Sequence, residues 1–220
     1  MLSKRLAAAA VLGGYLLWAR PRLNRLGATA EEARMPLPGD GLVEGAKPGS
    51  TMGVTIHAPA GAIWPWLVQM GCGRAGWYSH DRLDNGGIPS AERLLPEFGH
   101  LEVGDRMWSS PGGRTWFEVV ELDPGKALVL RHRIDLRAGR SLEPGEPAPS
   151  FFSTGIWAFA LAERPDGTTR LLVRTATTGA PRLLLSAADA LFLGPAHVVM
   201  QREQLGNLKR RAERVPVAQG

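Results

Sequence analysis

The 220-residue chain has a single cysteine, Cys72. One thiol excludes an intrachain disulfide framework and any multi-cysteine metal centre, and it reads as a small buried group. The five histidines, His57, His80, His100, His132 and His197, show neither His-x-His nor His-x-x-x-His spacing. No carboxylate spacing completes a ligand set, so no metal is expected. Gly71-x-Gly73-x-x-Gly76 matches a dinucleotide fingerprint in letters only. It follows a helical pattern instead of a parallel strand, which excludes that reading and leaves no cofactor expected.

A uniformly basic face is also missing. The formal charge of +5 arises at the two ends: residues 1–34 hold six Lys or Arg against two Glu, whereas residues 35–194 hold fifteen against seventeen acids. The remaining excess lies in the closing helix and tail. Nucleic acid is therefore not an expected partner. Apolar runs are short as well. The longest uncharged one, LAAAAVLGGYLLWA at residues 6–19, has fourteen residues. As a helix it would reach roughly 21 Å against a hydrocarbon core of about 30 Å.

What is present is a globular composition, 44% hydrophobic and 21% charged, enough for one domain with an appendage. Residues 1–26 read as an N-terminal apolar helix outside the domain. Lys4 and Arg5 precede its apolar run and Arg20, Arg22 and Arg25 follow it. Those trailing arginines, with no small-x-small site close behind, disfavour a cleaved signal. The segment is a candidate membrane anchor through residues 6–19, which gives a membrane-associated protein, with a cytoplasmic one as the alternative. Residues 27–50, rich in Pro, Gly and acids, read as a linker. The folded domain is expected over residues 51–214, and residues 215–220 are a tail.

Within the domain, residues 51–57 alternate as a half-buried strand, and Ile63, Trp66, Leu67 and Met70 recur at helical spacing. Strand patterns follow at residues 105–109, 114–122, 127–136, 153–162 and 168–177, several separated by Pro-Gly, Gly-Gly or Asp-Gly turns. That spacing implies an antiparallel meander. The loop at residues 138–150 reads as a mobile flap. Residues 181–193 are apolar and helical, Gly194-Pro195 is expected to break or restart the helix, and residues 196–214 carry Val198, Leu205, Leu208 and Ala212 on one face. The sheet is the only large surface available to that face, so the fold class is α+β, one curved antiparallel sheet around a long C-terminal helix.

Three stretches carry a family resemblance: VTIHAPAGAIWPWLVQMG, then GRAGWYSHDRLDN with SAERLLPEFGHLEVGD, and the closing PAHVVMQREQLGNLKRRAE. Over residues 51–214 the chain resembles the START-like, helix-grip (SRPBCC) superfamily, in particular its bacterial polyketide cyclase/dehydrase type. The resemblance implies a helix-grip fold with a cavity between sheet and last helix that holds an apolar or amphipathic small molecule. It implies no particular reaction, because fold alone does not fix function.

Candidate site residues concentrate between Gln69 and Asp105, where polar, aromatic and glycine residues crowd together without a period. Tyr78, His80 and Asp81 are candidate acid-base groups and, with Asn85, candidates for the cavity rim; Tyr78, Asn85 and His132 are also candidate ligand contacts. Six of the seven tryptophans lie in the domain, and an indole can wall a cavity while offering an N–H. Trp66, Trp77, Trp116 and Trp157 are the candidate ligand contacts among them. His132 is the sharpest oddity: Leu128, Leu130, His132, Ile134 and Leu136 share one strand face, so a polar ring interrupts an apolar stripe. Arg131, Arg133 and Asp135 on the other face read as solvated charges. The expected function is binding of an apolar small molecule, lipid-like or polyketide-like. The alternative is a cyclase or dehydratase using Tyr78, His80, Asp81 or His132, which requires two of these to meet inside the cavity. A third reading is an interaction module with a filled core and an exposed apolar patch at residues 181–193.

Overall fold

In a computed structural model, which describes residues 2–214, the period-two stripes become an open antiparallel sheet. Its strands are β1 (Lys47–Ile56), β2 (Arg106–Trp108), β3 (Trp116–Asp123), β4 (Ala127–Asp135), β5 (Arg140–Ser141), β6 (Phe152–Glu163) and β7 (Thr169–Ala180). They lie in the order β1-β7-β6-β4-β3-β2, with β5 added beside β4. Register places His132 opposite Gly155, and Gly155 opposite Thr177, so one row crosses three strands of the inner face. The tail at residues 215–220 lies outside the described residues.

Helix α3 (Ala60–Val68) follows β1, and its first N–H, on Ala60, is capped by the distant Glu163 carboxylate at 2.7 Å. Ile63, Trp66 and Leu67 are buried and join Leu128, Leu130 and Phe159 from the sheet and Leu205 and Leu208 from the last helix in one core. A short helix, α4 (Asp81–Asp84), lies in the polar segment between α3 and β2.

The C-terminal helix departs from expectation at Gly194-Pro195. Residues Arg182–Arg214 are continuous, as α5 (Arg182–Ala188), a π-helical stretch (Asp189–Leu193) and α6 (Gly194–Arg214). The Gly194 N–H bonds the Asp189 carbonyl, five residues back. The wider turn accommodates the missing N–H of Pro195 without ending the helix. Gly194 is needed there, since a Cβ would lie 2.7 Å from that same carbonyl oxygen.

The segment expected as a linker is a packed arm. β1 begins at Lys47, inside the expected linker, and the chain before it crosses the outer sheet face. Val43 and Ala46 cover a second apolar cluster of Val129, Ile156, Ala158 and Ala176. Arg174 and Arg170 of β7 bind the arm through Asp40 at 2.5 Å and Glu32 at 2.8 Å. The charges on β4 expected to be solvated are half-buried instead: Arg131 pairs with Glu118 at 2.9 Å, and Arg133 donates to the Glu143 carbonyl at 3.1 Å. The loop expected as a flap is tied to the sheet by β5 and by the Arg140–Glu146 pair at 2.6 Å.

At the other end, residues 2–23 run as α1 (Leu2–Gly14), a π-helical stretch (Tyr15–Ala19) and α2 (Arg20–Leu23). Asn24 then docks this helix on the edge of β1, its Nδ2 donating to Gly49 O at 2.6 Å and its own carbonyl accepting from Thr51 N at 2.8 Å.

Candidate functional site

Between the inner sheet face and the C-terminal helix lies a cavity of about 710 Å³. Its aromatic floor is built from strands and loop together. Trp157 of β6 lies 5.3 Å from Trp77, 5.4 Å from Phe117 and 4.9 Å from Phe159, ring centroid to centroid. Phe117 in turn meets His132 edge-on at 6.2 Å.

Across the floor runs a strip of α6. His197, Gln201 and Gln204 project from one face, at the four- and three-residue steps that place side chains above one another. The Trp157 indole N–H donates to Gln201 Oε1 at 2.9 Å, Gln201 Nε2 donates to Gln204 Oε1 at 2.7 Å, and Gln204 Nε2 donates to the Trp77 carbonyl at 2.9 Å. That chain of amides is closed on itself. Four other polar atoms on lining residues are not so satisfied: Arg20 Nε, Trp77 Nε1, His197 Nε2 and Asp84 Oδ1 are buried and have no partner among the described residues. Each such atom costs about 1–3 kcal/mol when left unpaired.

Burial also sets the charges. The His132 imidazole is pushed down to about 4 by desolvation, so it is neutral at pH 7. His197 is shifted down for the same reason. Desolvation, with the nearby Asp81 charge, raises the Asp84 carboxyl to about 6. His132 Nε2 lies 3.1 Å from Ser153 Oγ, an acid-base contact within the cavity. An imidazole held near 4 is a weak base at neutral pH, and the pair is better suited to holding a ligand oxygen.

Of the residues anticipated from sequence, Trp77, His132 and Trp157 line the cavity. The remainder lie elsewhere, each for an identifiable reason. Trp66 is buried in the core beneath Tyr78, in edge contact at 6.0 Å. Tyr78 is fully buried; its hydroxyl donates to Trp66 O at 3.1 Å and accepts from Gln69 Nε2 at 2.8 Å, and burial raises its pKa. It also has φ of 59°, a conformation held by Ser90 Oγ on its N–H and Asn207 Nδ2 on its carbonyl. Asp81 accepts from the N–H and hydroxyl of Ser90 at 3.0 and 2.5 Å, and Asn85 Nδ2 donates to Ile88 O at 2.7 Å. His80 faces solvent. Trp116 stands at the sheet edge under the Arg106 guanidinium, 4.3 Å from its ring centroid. Tyr78, His80, Asp81 and His132 therefore do not converge, and the acid-base alternative lacks the meeting of two groups that it needs.

Asp84, His197, Gln201 and Gln204 are cavity residues that the sequence patterns do not single out. A usable signal exists for three of them: positions 197, 201, 204 and 208 form one helical row in which polar residues sit beside Leu208. Asp84 gives none.

No protein-family model matches the chain, and no curated protein does. Among solved structures the chain is similar to protein MLL2253 from Mesorhizobium loti, at 18% identity and a TM-score of 0.40, over 76% of this chain and 100% of that one. It is similar to hypothetical protein jhp0584 from Helicobacter pylori at 15% identity and a TM-score of 0.45, over 84% and 98% of the two chains. A third is DynU16, a protein in the dynemicin biosynthetic locus, at 16% identity and a TM-score of 0.38, over 72% of this chain and 46% of that one. Function has to be read from the chemistry of the cavity itself.

Proposed function

We propose that the protein binds an amphipathic small molecule in the cavity, as a carrier or sequestering protein, and is held at a membrane by its N-terminal helix. The observation that supports this is the pairing of an aromatic floor with four lining residues that carry an unpartnered buried polar atom, around one space of about 710 Å³. Such a volume lies within the roughly 300–1,000 Å³ of small-molecule pockets. Trp77 Nε1 can only donate, and Asp84 Oδ1 accepts when ionised. The ligand that satisfies both carries an oxygen acceptor and a hydroxyl on an apolar, ring-containing or chain-like frame. Lipid-like and polyketide-like molecules have that chemistry, and a START-like chain is expected to hold it in this place.

Thr177 lines the cavity from β7, in the row that includes Gly155 and His132. Thr177→Trp fills the space without disturbing the buried core. The fluorescent amphiphile anilinonaphthalene sulfonate is expected to lose affinity by at least tenfold in this variant, with an unchanged thermal midpoint. Equal affinity in the two proteins would show that the cavity is not the binding site. Extraction of purified protein followed by mass spectrometry then identifies the natural ligand.

A further inference from the structure

The two ends of the chain meet where the cavity opens. Lys47, Arg182 and Leu193 line the cavity and are also solvent-exposed, which places the opening between the edge of β1 and the start of the C-terminal helix. The N-terminal helix closes the gap. Arg20 Nη2 lies 2.6 Å from Asp189 Oδ2, and the Tyr15 hydroxyl donates to the Ala190 carbonyl at 2.9 Å. The Tyr15 contact joins one π-helical stretch to the other, the Arg20 contact comes from the residue that follows the first stretch, and each stretch lies just upstream of a proline, Pro21 or Pro195. The entrance is thus walled by a helix pair with one member from each end of the chain.

The outer sides of this pair are apolar and open. Leu17 is 84% exposed, Leu183 88% and Phe192 71%, with Trp18, Leu184 and Leu193 beside them. Single exposed leucines need no explanation, but a group of this size on two adjoining helices does. Charge identifies what covers it. The first acidic residue of the chain is Glu31, and residues 182–202 contain only Asp189, which Arg20 neutralises. Beside these side chains stand exposed cations, Arg182 next to Leu183 and Arg22 stacked 4.3 Å from the Trp18 ring. Apolar side chains bordered by Arg and Trp, without a free carboxylate, complement the headgroup and upper acyl region of an anionic bilayer. A second copy of the chain docked through the same face would set these cations near one another.

We infer that α5 and its π-helical extension insert into an anionic phospholipid surface together with the N-terminal helix, so that the cavity opens toward the lipid and takes up its ligand directly from the bilayer. The inference rests on the proposed binding function and extends it: the N-terminal helix is one half of a platform, and the ligand is a bilayer-resident amphiphile.

Flotation of the full chain with phosphatidylcholine–phosphatidylglycerol vesicles tests this. Leu183→Asp, Phe192→Asp and Leu17→Asp each alter an exposed side chain, and circular dichroism is expected to show each variant folded. Each substitution is expected to lower vesicle partitioning on the order of tenfold or more, and omission of phosphatidylglycerol to weaken binding of the parent. If Leu17→Asp detaches the protein while Leu183→Asp and Phe192→Asp float as the parent does, the two-helix platform is overturned and the N-terminal anchor stands. If all three float normally, both ideas fail. A concentration-dependent dimer abolished by Phe192→Asp, without vesicle binding, would assign the face to a second copy and also overturn the inference.

Discussion

Arg174→Met is expected to lower the free energy of unfolding by about 3–5 kcal/mol, the range found when one partner of a buried ion pair is removed. The side chain is 2% exposed on the outer sheet face and is completely enclosed by the arm. Its Nη1 reaches Asp40 Oδ2 at 2.5 Å and Met35 O at 2.9 Å, its Nη2 reaches Glu32 O at 3.0 Å and Ala33 O at 3.1 Å, and its Nε donates to Thr51 Oγ1 at 3.0 Å. Methionine keeps the aliphatic stem and removes all five hydrogen bonds, leaving Asp40 Oδ2 only the one from Leu37 N at 2.9 Å. Lysine, a point charge without the planar fork, is expected to recover only part of the loss. These bonds tie the arm to the sheet, so the substitution is also expected to open residues 27–46 to limited proteolysis. Urea unfolding and a timed protease digest measure the two effects. An unchanged unfolding midpoint with an uncleaved arm would show that the guanidinium does not hold the arm in place.

The second large effect is a pH dependence seated in the cavity. His132 is held near 4 by desolvation, below the ordinary 6.5, so the unfolded chain binds its proton more readily than the folded one. Its contribution is complete above about pH 6.5 and is lost as pH falls toward 4. Between pH 7 and pH 4.5 the loss amounts to about 2 kcal/mol. Asp84 works against it. Its carboxyl is raised to about 6, so stability present below the ordinary carboxylate range is lost as pH rises through 6, and that opposes part of the histidine effect. The parent therefore shows a muted acid loss, and His132→Phe, which retains the edge packing on Phe117, is expected to become relatively more stable in acid by about 2 kcal/mol. Urea titrations of both proteins at the two pH values measure this difference. Parallel pH profiles for parent and variant would mean that His132 keeps an ordinary affinity for protons in the fold.

Much of the fold is legible in the sequence because strands and helices are set by neighbours along the chain. The alternation through Leu128, Leu130 and His132 is enough to put that histidine on the inner face, and the register against Gly155 agrees. The polar segment between Gln69 and Asp105 is less legible, for a physical reason. A stretch with only short helical turns and no strand must satisfy much of its backbone with side chains. Gln69 Oε1 accepts from Leu95 N at 2.9 Å, Arg74 Nη2 donates to Val68 O and Phe98 O at 3.1 Å, and Asp81 and Asn85 close their own turns. Those groups resemble a reactive site and serve instead as the internal scaffold of an irregular segment. The same letters in sequence fit either role.

By itself, then, the sequence determined the α+β class, the order of the meander, the amphipathic closing helix and an apolar helix at the start, all of which follow from periodicity and turn chemistry over a few residues. Only the tertiary structure decided which polar groups are left without partners in the cavity, and that the two ends of the chain adjoin at its mouth. Those outcomes depend on contacts such as Tyr15 with Ala190, 175 residues apart. No local pattern encodes a distance of that kind, because it is set by how the sheet curves and how the long helix crosses it.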